Sequence, residues 1–256
     1  MALILLSPAK SFDEARGLGK ATTTPRFLAE TGDLAEHCRA LGAEGLRSLM
    51  KISPALADLN ARRFAEFTTR PDPAIAHAAG LLFDGDAYQT LDLASCPAEA
   101  TARAARHLRI LSGLYGLLRP TDAILPYRLE MGKPLETSRG RGLYRFGGTR
   151  IAEAIATDAA EIEARFILNL ASEEYAKAAC LPRQSLEVVT PRFLELRGGA
   201  PKVISFSAKR ARGAMTRWVL EEGIESCETL RDFSWSGYRF APEISTPRAP
   251  SFLRSS

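Results

Sequence analysis

A single α/β domain, a central mixed sheet surrounded by helices, is the fold that this 256-residue sequence predicts, and three features predict it. Two short, largely apolar runs, residues 2–6 and 166–170, read as strands buried on both faces. Stretches with apolar residues at helical spacing lie between them, and some open on a capping residue followed by proline. A Gly-Gly turn at residues 198–199 joins two further strands in a hairpin.

The composition excludes several classes before any element is placed. Hydrophobic residues make up 46% and charged residues 25%, the balance of an ordinary water-soluble chain, and the formal charge of +4 allows an anionic partner without demanding one. Cys38, Cys96, Cys180 and Cys227 form no Cys-x-x-Cys pair, and His37, His77 and His107 stand apart. Neither a zinc site nor a disulfide framework is written here, so no metal and no cofactor is expected and the thiols suit a reducing cytoplasm. Residues 1–6 are too short for a signal-peptide core, and no run reaches the roughly 20 apolar residues of a membrane span.

Taken in order, residues 2–6 form the first strand, and Ser7-Pro8-Ala9-Lys10 leaves its carboxyl end, where α/β proteins place ligands. Lys10 is therefore a candidate pocket or anion-binding lysine. The Ser-x-x-Lys spacing also matches penicillin-binding active sites, but their companion Lys-Thr-Gly and Ser-Asp-Asn motifs do not occur. Thr22-Thr-Thr-Pro25 caps a helix that turns Phe27, Leu28, Leu34 and Cys38 inward as far as Gly42. Leu46, Leu49 and Met50 continue a second, and Ser53-Pro54 starts a third with Leu56, Leu59 and Phe64 inward. Residues 81–83 read as a strand, followed by Asp84-Gly-Asp-Ala-Tyr88. The two aspartates could hold Mg²⁺ or position a hydroxyl, or simply form a solvated turn, and Asp86 beside Tyr88 is the pocket candidate.

Residues 107–132 hold the densest mixture of apolar, glycine and arginine residues. A helical pattern over 99–108 runs into Leu111-Ser-Gly-Leu-Tyr-Gly116, and Pro120 and Pro126 stop any long continuation. Gly113 and Gly116 mark a turn resembling the helix-hairpin-helix, whose free amides receive DNA phosphates, with Arg109 and Arg119 beside it. The spacing is Gly-x-x-Gly rather than the usual Gly-x-Gly, and a tight turn buried in the fold is the alternative. Residues 127–130 alternate as a half-buried strand does, which puts Arg128 and Glu130 on one face as an internal ion pair or a pocket pair.

Residues 151–166 make an amphipathic helix and 166–170 the second buried strand, after which Ser172 caps a helix whose Glu173 and Glu174 suit its dipole. Strands at 186–196 and 203–206 form the hairpin. The helix over 208–220 gathers Ala208, Ala211, Met215, Trp218 and Val219 on one arc and leaves Lys209, Arg210, Arg212 and Arg217 outside it, a basic ridge suited to anions. Residues 233–240 form a final strand. The expected organisation is a single domain over residues 1–240 and a loosely ordered Pro/Ser-rich tail over 241–256.

Several of these stretches together resemble the YaaA family, associated with peroxide stress in bacteria. They are Leu5-Leu-Ser-Pro-Ala-Lys10, residues 52–64 with Leu59-Asn-Ala-Arg62, Phe83-Asp-Gly-Asp86, residues 107–132, Leu143-Tyr-Arg-Phe146, Leu168-Asn-Leu-Ala-Ser172 and residues 204–217 with Ala208-Lys-Arg-Ala-Arg-Gly213, which span nearly the whole chain. The resemblance implies a cytoplasmic single-domain α/β protein with a positively charged cleft, a helix-hairpin-helix-like element, binding to double-stranded DNA and a role in limiting free iron and oxidative DNA damage. It implies no secure enzyme activity. Ser207, Gly147 and Ala87 are small where the family pattern carries an aromatic residue, a tryptophan and a valine, and all three are expected beside the cleft.

Two functional readings follow from these residues. In the first, a DNA-binding protective protein presents the Gly113 and Gly116 amides to phosphates, with charge from Arg109, Arg119, Arg128, Lys209, Arg210 and Arg212. In the second, Lys10 and Arg212 hold a nucleotide-like or other small anionic ligand while Asp86 or Glu130 serves as general acid or base.

Overall fold

Residues 3–6 carry no polar side chain, and in β1 (Leu3–Leu6) all four are buried, as a strand covered on both faces requires. In this computed structural model, which describes residues 1–255, α1 (Leu28–Met50), α2 (Pro54–Ala65), β2 (His77–Ala78), α3 (Ala79–Leu82), α4 (Asp86–Leu91) and α5 (Ala98–His107) follow. The middle of the chain contains β3 (Leu108–Ser112), β4 (Gly116–Leu118), β5 (Ala123–Ile124), β6 (Glu136–Thr137), β7 (Gly140–Arg141), α6 (Leu143–Gly147) and α7 (Arg150–Glu161). The last third adds β8 (Ile167–Leu170), α8 (Glu173–Ala178), β9 (Val188–Val189), β10 (Arg192–Arg197), β11 (Ala200–Lys202), α9 (Ser205–Glu222), β12 (Arg239–Phe240) and β13 (Ser251–Arg254).

The central sheet has the order β4-β3-β1-β8-β9. It is mixed, as expected: β1 runs parallel to both β3 and β8, β9 runs parallel to β8, and β4 returns antiparallel on the edge. The chain leaves β1 toward β3 on one side and leaves β8 toward β9 on the other, so a crevice opens between β1 and β8 at their carboxyl ends. A second sheet, β11-β10-β13-β12, belongs to the same single compact domain and packs Phe193 against Phe233, which in turn meets Trp218 of α9.

Several local expectations are corrected. Ser53 caps α2 as expected, its Oγ accepting the Leu56 N–H at 3.4 Å, but Leu56 faces outward. The first two expected helices run end to end within α1 and are separated, as expected, at Gly42, whose φ of 59° and ψ of −172° are non-helical and open to glycine. Residues 81–83 are not a strand, because α3 takes up a helical turn there. Residues 127–130 lie in no strand either.

The Gly113 turn is not a helix-hairpin-helix. It joins β3 to β4 in an antiparallel hairpin, with Ser112 paired to Gly116. Its amides are already used, since Leu114 and Tyr115 donate to Ser112 Oγ at 3.3 and 2.8 Å. A Cβ on Gly113 would overlap the Leu129 carbonyl, and one on Gly116 would stand 2.8 Å from the Phe27 ring. The turn is a buried close approach of backbone segments.

The segment expected as a loose tail is instead a sheet strand. β13 lies inside the second sheet, parallel to β10 and antiparallel to β12. Phe252 is fully buried and its ring centroid lies 5.5 Å from those of Phe193 and Phe233 and 6.1 Å from that of Phe240. Glu195 of β10, also buried, ties the sheet to α9. Hydrogen bonding from Ser207 foremost, then Arg197, Arg254 and Tyr238, holds its carboxyl down to about 2 against the opposing effect of burial. Proline and serine marked the turns of this segment, and they concealed Ser-Phe-Leu-Arg, a strand.

Phe252→Ala is expected to lower unfolding free energy by about 3–5 kcal/mol in a denaturant titration, the cost of emptying a packed aromatic site, whereas a loose tail would give no change. The Glu195 carboxyl has a folded value below its ordinary 4.5, so its stabilisation is present above that pH and is lost as pH falls toward 2. Melting temperature measured across that interval is expected to fall for the native chain, and Glu195→Gln is expected to remove part of the slope.

Candidate functional site

The loops that leave β1 and β8 meet because their strands are in register, Leu6 opposite Leu170. Ser7 Oγ accepts the Ser172 N–H at 2.8 Å and lies 3.3 Å from Ser172 Oγ, so the two strand-end serines clasp one another. Ser172 begins α8 without capping it through its side chain. Tyr88 of α4 donates to the Ser7 carbonyl at 2.9 Å, and the Asp84 N–H donates to the Ser11 carbonyl at 2.9 Å. Gly85 lets these loops touch, since a Cβ there would stand 2.9 Å from Ala9 Cβ. Burial pushes the Tyr88 and Tyr175 phenols well above their ordinary range, which keeps both as neutral hydrogen-bonding groups.

A cavity of about 460 Å³ opens over this clasp. Ser7, Lys10, Asp86, Ser172, Lys209 and Arg212 are among its lining residues, with Leu6, Pro8, Ala9, Ala87 and Leu170 supplying apolar wall. α9 reaches the cavity because Gly213 lets it press on α4: a Cβ at Gly213 would overlap the Ala87 carbonyl and the Thr90 hydroxyl. Thr90 Oγ1 seals the contact by donating to the Arg210 carbonyl at 2.7 Å. Helical periodicity then turns Lys209 and Arg212 to the cavity. Arg212 is half-buried, has no side-chain hydrogen-bond or ion-pair partner among the described residues, and has its charged form disfavoured by burial, with Glu173 acting on it through space in the opposite sense.

The sequence-predicted residues separate into three groups. Lys10, Asp86, Lys209 and Arg212 come together at the cavity. Glu130 does not line it. Its buried carboxylate gathers Arg128 at 3.2 Å, Lys10 at 3.3 Å and Lys133 at 3.9 Å, and Oε2 accepts no hydrogen bond. Arg128 and Glu130 thus form an internal ion pair, and Lys10, two-thirds exposed, links that pair to the cavity mouth.

Arg109, Arg119, Gly113 and Gly116 are elsewhere. Arg109 is buried and pairs with Asp158, which also receives Arg26 at 2.6 and 2.7 Å. A guanidinium 3% exposed and already neutralised has no phosphate to offer itself to. Arg119 is half-buried above Asp122, which accepts its backbone N–H at 2.8 Å. Arg210 is exposed but leaves the cavity side, lying 5.5 Å over the Phe206 ring and 5.9 Å over that of Trp235, and Arg217 pairs with Glu221 at 2.8 Å. Of the three small residues expected beside the cleft, Ala87 lines it, whereas Gly147 borders a narrow apolar cavity with Phe27 and Phe146, and Ser207 accepts from Arg254 at 3.1 Å.

The serine clasp was the site feature hidden from sequence reasoning, which read Ser7 as a loop residue and Ser172 as a cap. Its trace in the sequence is that both buried strands are followed within two residues by a serine. Among the described residues no group of three or more His, Cys, Asp or Glu is placed to hold a metal ion, and no helix is long and apolar enough to cross a membrane.

Comparison with known proteins places relatives along the whole chain. A family profile described as peroxide stress protein YaaA matches residues 2–244. A UPF0246 protein of Ruegeria sp. (strain TM1040) is 49% identical over 255 residues, covering 98% of this chain and 99% of its own. A UPF0246 protein of Cereibacter sphaeroides (strain ATCC 17029 / ATH 2.4.9) is 48% identical over 257 residues, 99% of each chain. One from Shewanella sp. (strain MR-4) is 44% identical over 255 residues, 98% of each.

Helix propensity alone favours alanine over glycine in mid-helix by about 1 kcal/mol. At Gly213 the overlap with Ala87 reverses that sign, and Gly213→Ala is expected to cost about 1–3 kcal/mol of stability in chemical denaturation. An unchanged or raised stability would mean that α9 does not need this approach to hold Lys209 and Arg212 at the cavity.

Proposed function

We propose, from the premise that this chain belongs to the peroxide stress protein YaaA family, that it serves peroxide stress defence by binding an anion in the cleft at the carboxyl ends of β1 and β8. The observation that carries this is Arg212, a half-buried guanidinium with no hydrogen-bond or ion-pair partner among the described residues, in a cavity it shares with Lys209 and Lys10. A cation in a partly dry wall attracts an anion more strongly than one in open water, and the guanidinium fork matches phosphate or carboxylate oxygens. Asp86 and Ser7 Oγ face the same space, and Asp86 is the residue available to move a proton on a bound ligand. The family's implied role in limiting free iron and oxidative DNA damage runs, in this reading, through what the cleft binds. Four free thiols fit a cytoplasmic setting.

Duplex DNA is the second reading, favoured by one observation: Lys209 and Arg210 are exposed on α9 beside Phe206, itself 56% exposed. With Arg109 and the glycine turn withdrawn, Lys10, Lys209, Arg210 and Arg212 remain to meet phosphates. Contact with about three or four of them sets a slope of log K against log salt of about −3 to −4.

Isothermal titration with phosphate and pyrophosphate tests the first reading. Arg212→Ala is expected to weaken binding about tenfold or more with an unchanged circular dichroism spectrum, and absence of binding to the native chain at millimolar anion would remove the cleft as an anion site. Fluorescence anisotropy with a short duplex tests the second. Lys209→Ala with Arg210→Ala is expected to flatten the salt slope by about one or two units, and an unchanged slope takes α9 out of any DNA interface.

A further inference from the structure

The cavity holds unpaired groups of both signs. Among the described residues Asp86 has no side-chain hydrogen-bond or ion-pair partner, and neither have Lys209 and Arg212, although all three line one space. Lys10 is engaged with Glu130, Asp84 with Gln89 at 3.2 Å, Glu174 with the Gly132 N–H at 2.7 Å and Arg217 with Glu221, and Glu173 acts on Arg212 only through space, without a hydrogen bond or ion pair to it. Asp86 stands beyond ion-pair reach of either cation, so a ligand satisfies both ends only by carrying an anion at one end and hydrogen-bond donors at the other. Pro8, Ala9, Ala87 and Leu170 give the same cavity an apolar part of its wall. A free phosphate ion would leave most of the 460 Å³ empty and Asp86 without a partner.

We propose that the cleft takes a nucleoside monophosphate, its phosphate on Arg212 and Lys209 and its ribose hydroxyls on Asp86. The inference rests on the anion-binding reading above and adds the body of the ligand to it. A carboxylate accepts from two adjacent hydroxyls with its two oxygens, as acidic residues do in nucleotide sites at the carboxyl ends of parallel strands. The apolar wall covers the faces of the sugar and base, which need little hydrogen bonding. Lys209, exposed at the rim, meets the phosphate first, and Arg212, deeper, holds it.

The test is isothermal titration of the full chain with AMP, GMP, CMP and UMP, and with the 2′,3′-dideoxy form of whichever binds best. Inorganic phosphate and phosphoethanolamine, an anion joined to an ammonium, serve as comparators. The native chain is expected to bind one ribonucleotide about tenfold or more tightly than its dideoxy form or either comparator. Asp86→Asn is expected to erase that preference while leaving the dideoxy form within about twofold, and Arg212→Gln to weaken every phosphate compound alike. Equal loss of both nucleotides on Asp86→Asn overturns the ribose assignment, and so does phosphoethanolamine binding as tightly as the nucleotide. Binding of phosphate with no gain from any nucleoside overturns the nucleotide while leaving the anion site standing. Binding of none of these compounds removes both.

Discussion

β1 is hydrogen-bonded along both edges, to β3 and to β8, and its four side chains are buried on both faces. Its register decides what happens beyond its end. With Leu6 opposite both Ile110 and Leu170, the loops after β1 and β8 leave the sheet at one level, and Ser7 Oγ meets the Ser172 amide. A slip of one residue moves a loop by about 3.3 Å along the strand, which is enough to part that hydrogen bond and to carry Lys10 away from Glu130. Tyr88 then reaches the Ser7 carbonyl only because that carbonyl stands where the register puts it. The cleft is thus a consequence of strand pairing between apolar residues that take no part in its chemistry.

Burial sorts the arginines and lysines more decisively than their order in the chain does. Arg109 and Arg26 converge on Asp158 inside the fold, and Arg128, Lys133 and Lys10 converge on Glu130. In each case one buried carboxylate needs several cations, because a charge removed from water is tolerated only when it is paired and hydrogen-bonded. Among the described residues, the cations left without a hydrogen bond or ion pair at the cleft are Arg212 and Lys209. The chain is basic by four charges, yet the local excess that matters is decided by which acids were taken inside.

The buried strands were legible because a run of apolar residues has one physical use, and the start of α2 because Ser53-Pro54 satisfies a helix end in a way few other pairs do. Helical spacing gave a basic ridge of Lys209, Arg210, Arg212 and Arg217, of which only Lys209 and Arg212 line the cavity, because Arg210 turns to Phe206 and Trp235 and Arg217 to Glu221. The β3–β4 hairpin was not. Leu-Arg-Ile-Leu-Ser follows a helical stretch without a break residue, and nothing local says that it pairs with β1, some hundred positions earlier. The same limit hid Asp158, whose place among alanines on α7 gives no sign that two arginines from distant segments close on it. The serine clasp is of this kind too: each serine has an ordinary local role, and the pair exists only once two strands lie side by side.

The position of β13 has a consequence in time. It lies between β10 and β12, so these two strands have no shared ladder until residues 251–254 have been made. Arg254 also closes the Glu195 and Ser207 contacts that hold the first turn of α9 to that sheet, a few residues ahead of Lys209 and Arg212. On a ribosome adding residues in sequence, the β1 half of the cleft is available for folding early, and the α9 wall is locked at its amino end only when Arg254 emerges. The cleft is assembled from early and late parts of the chain, so a nascent chain halted before that point carries the serine loop and Lys10 with the α9 wall not yet tied to its sheet.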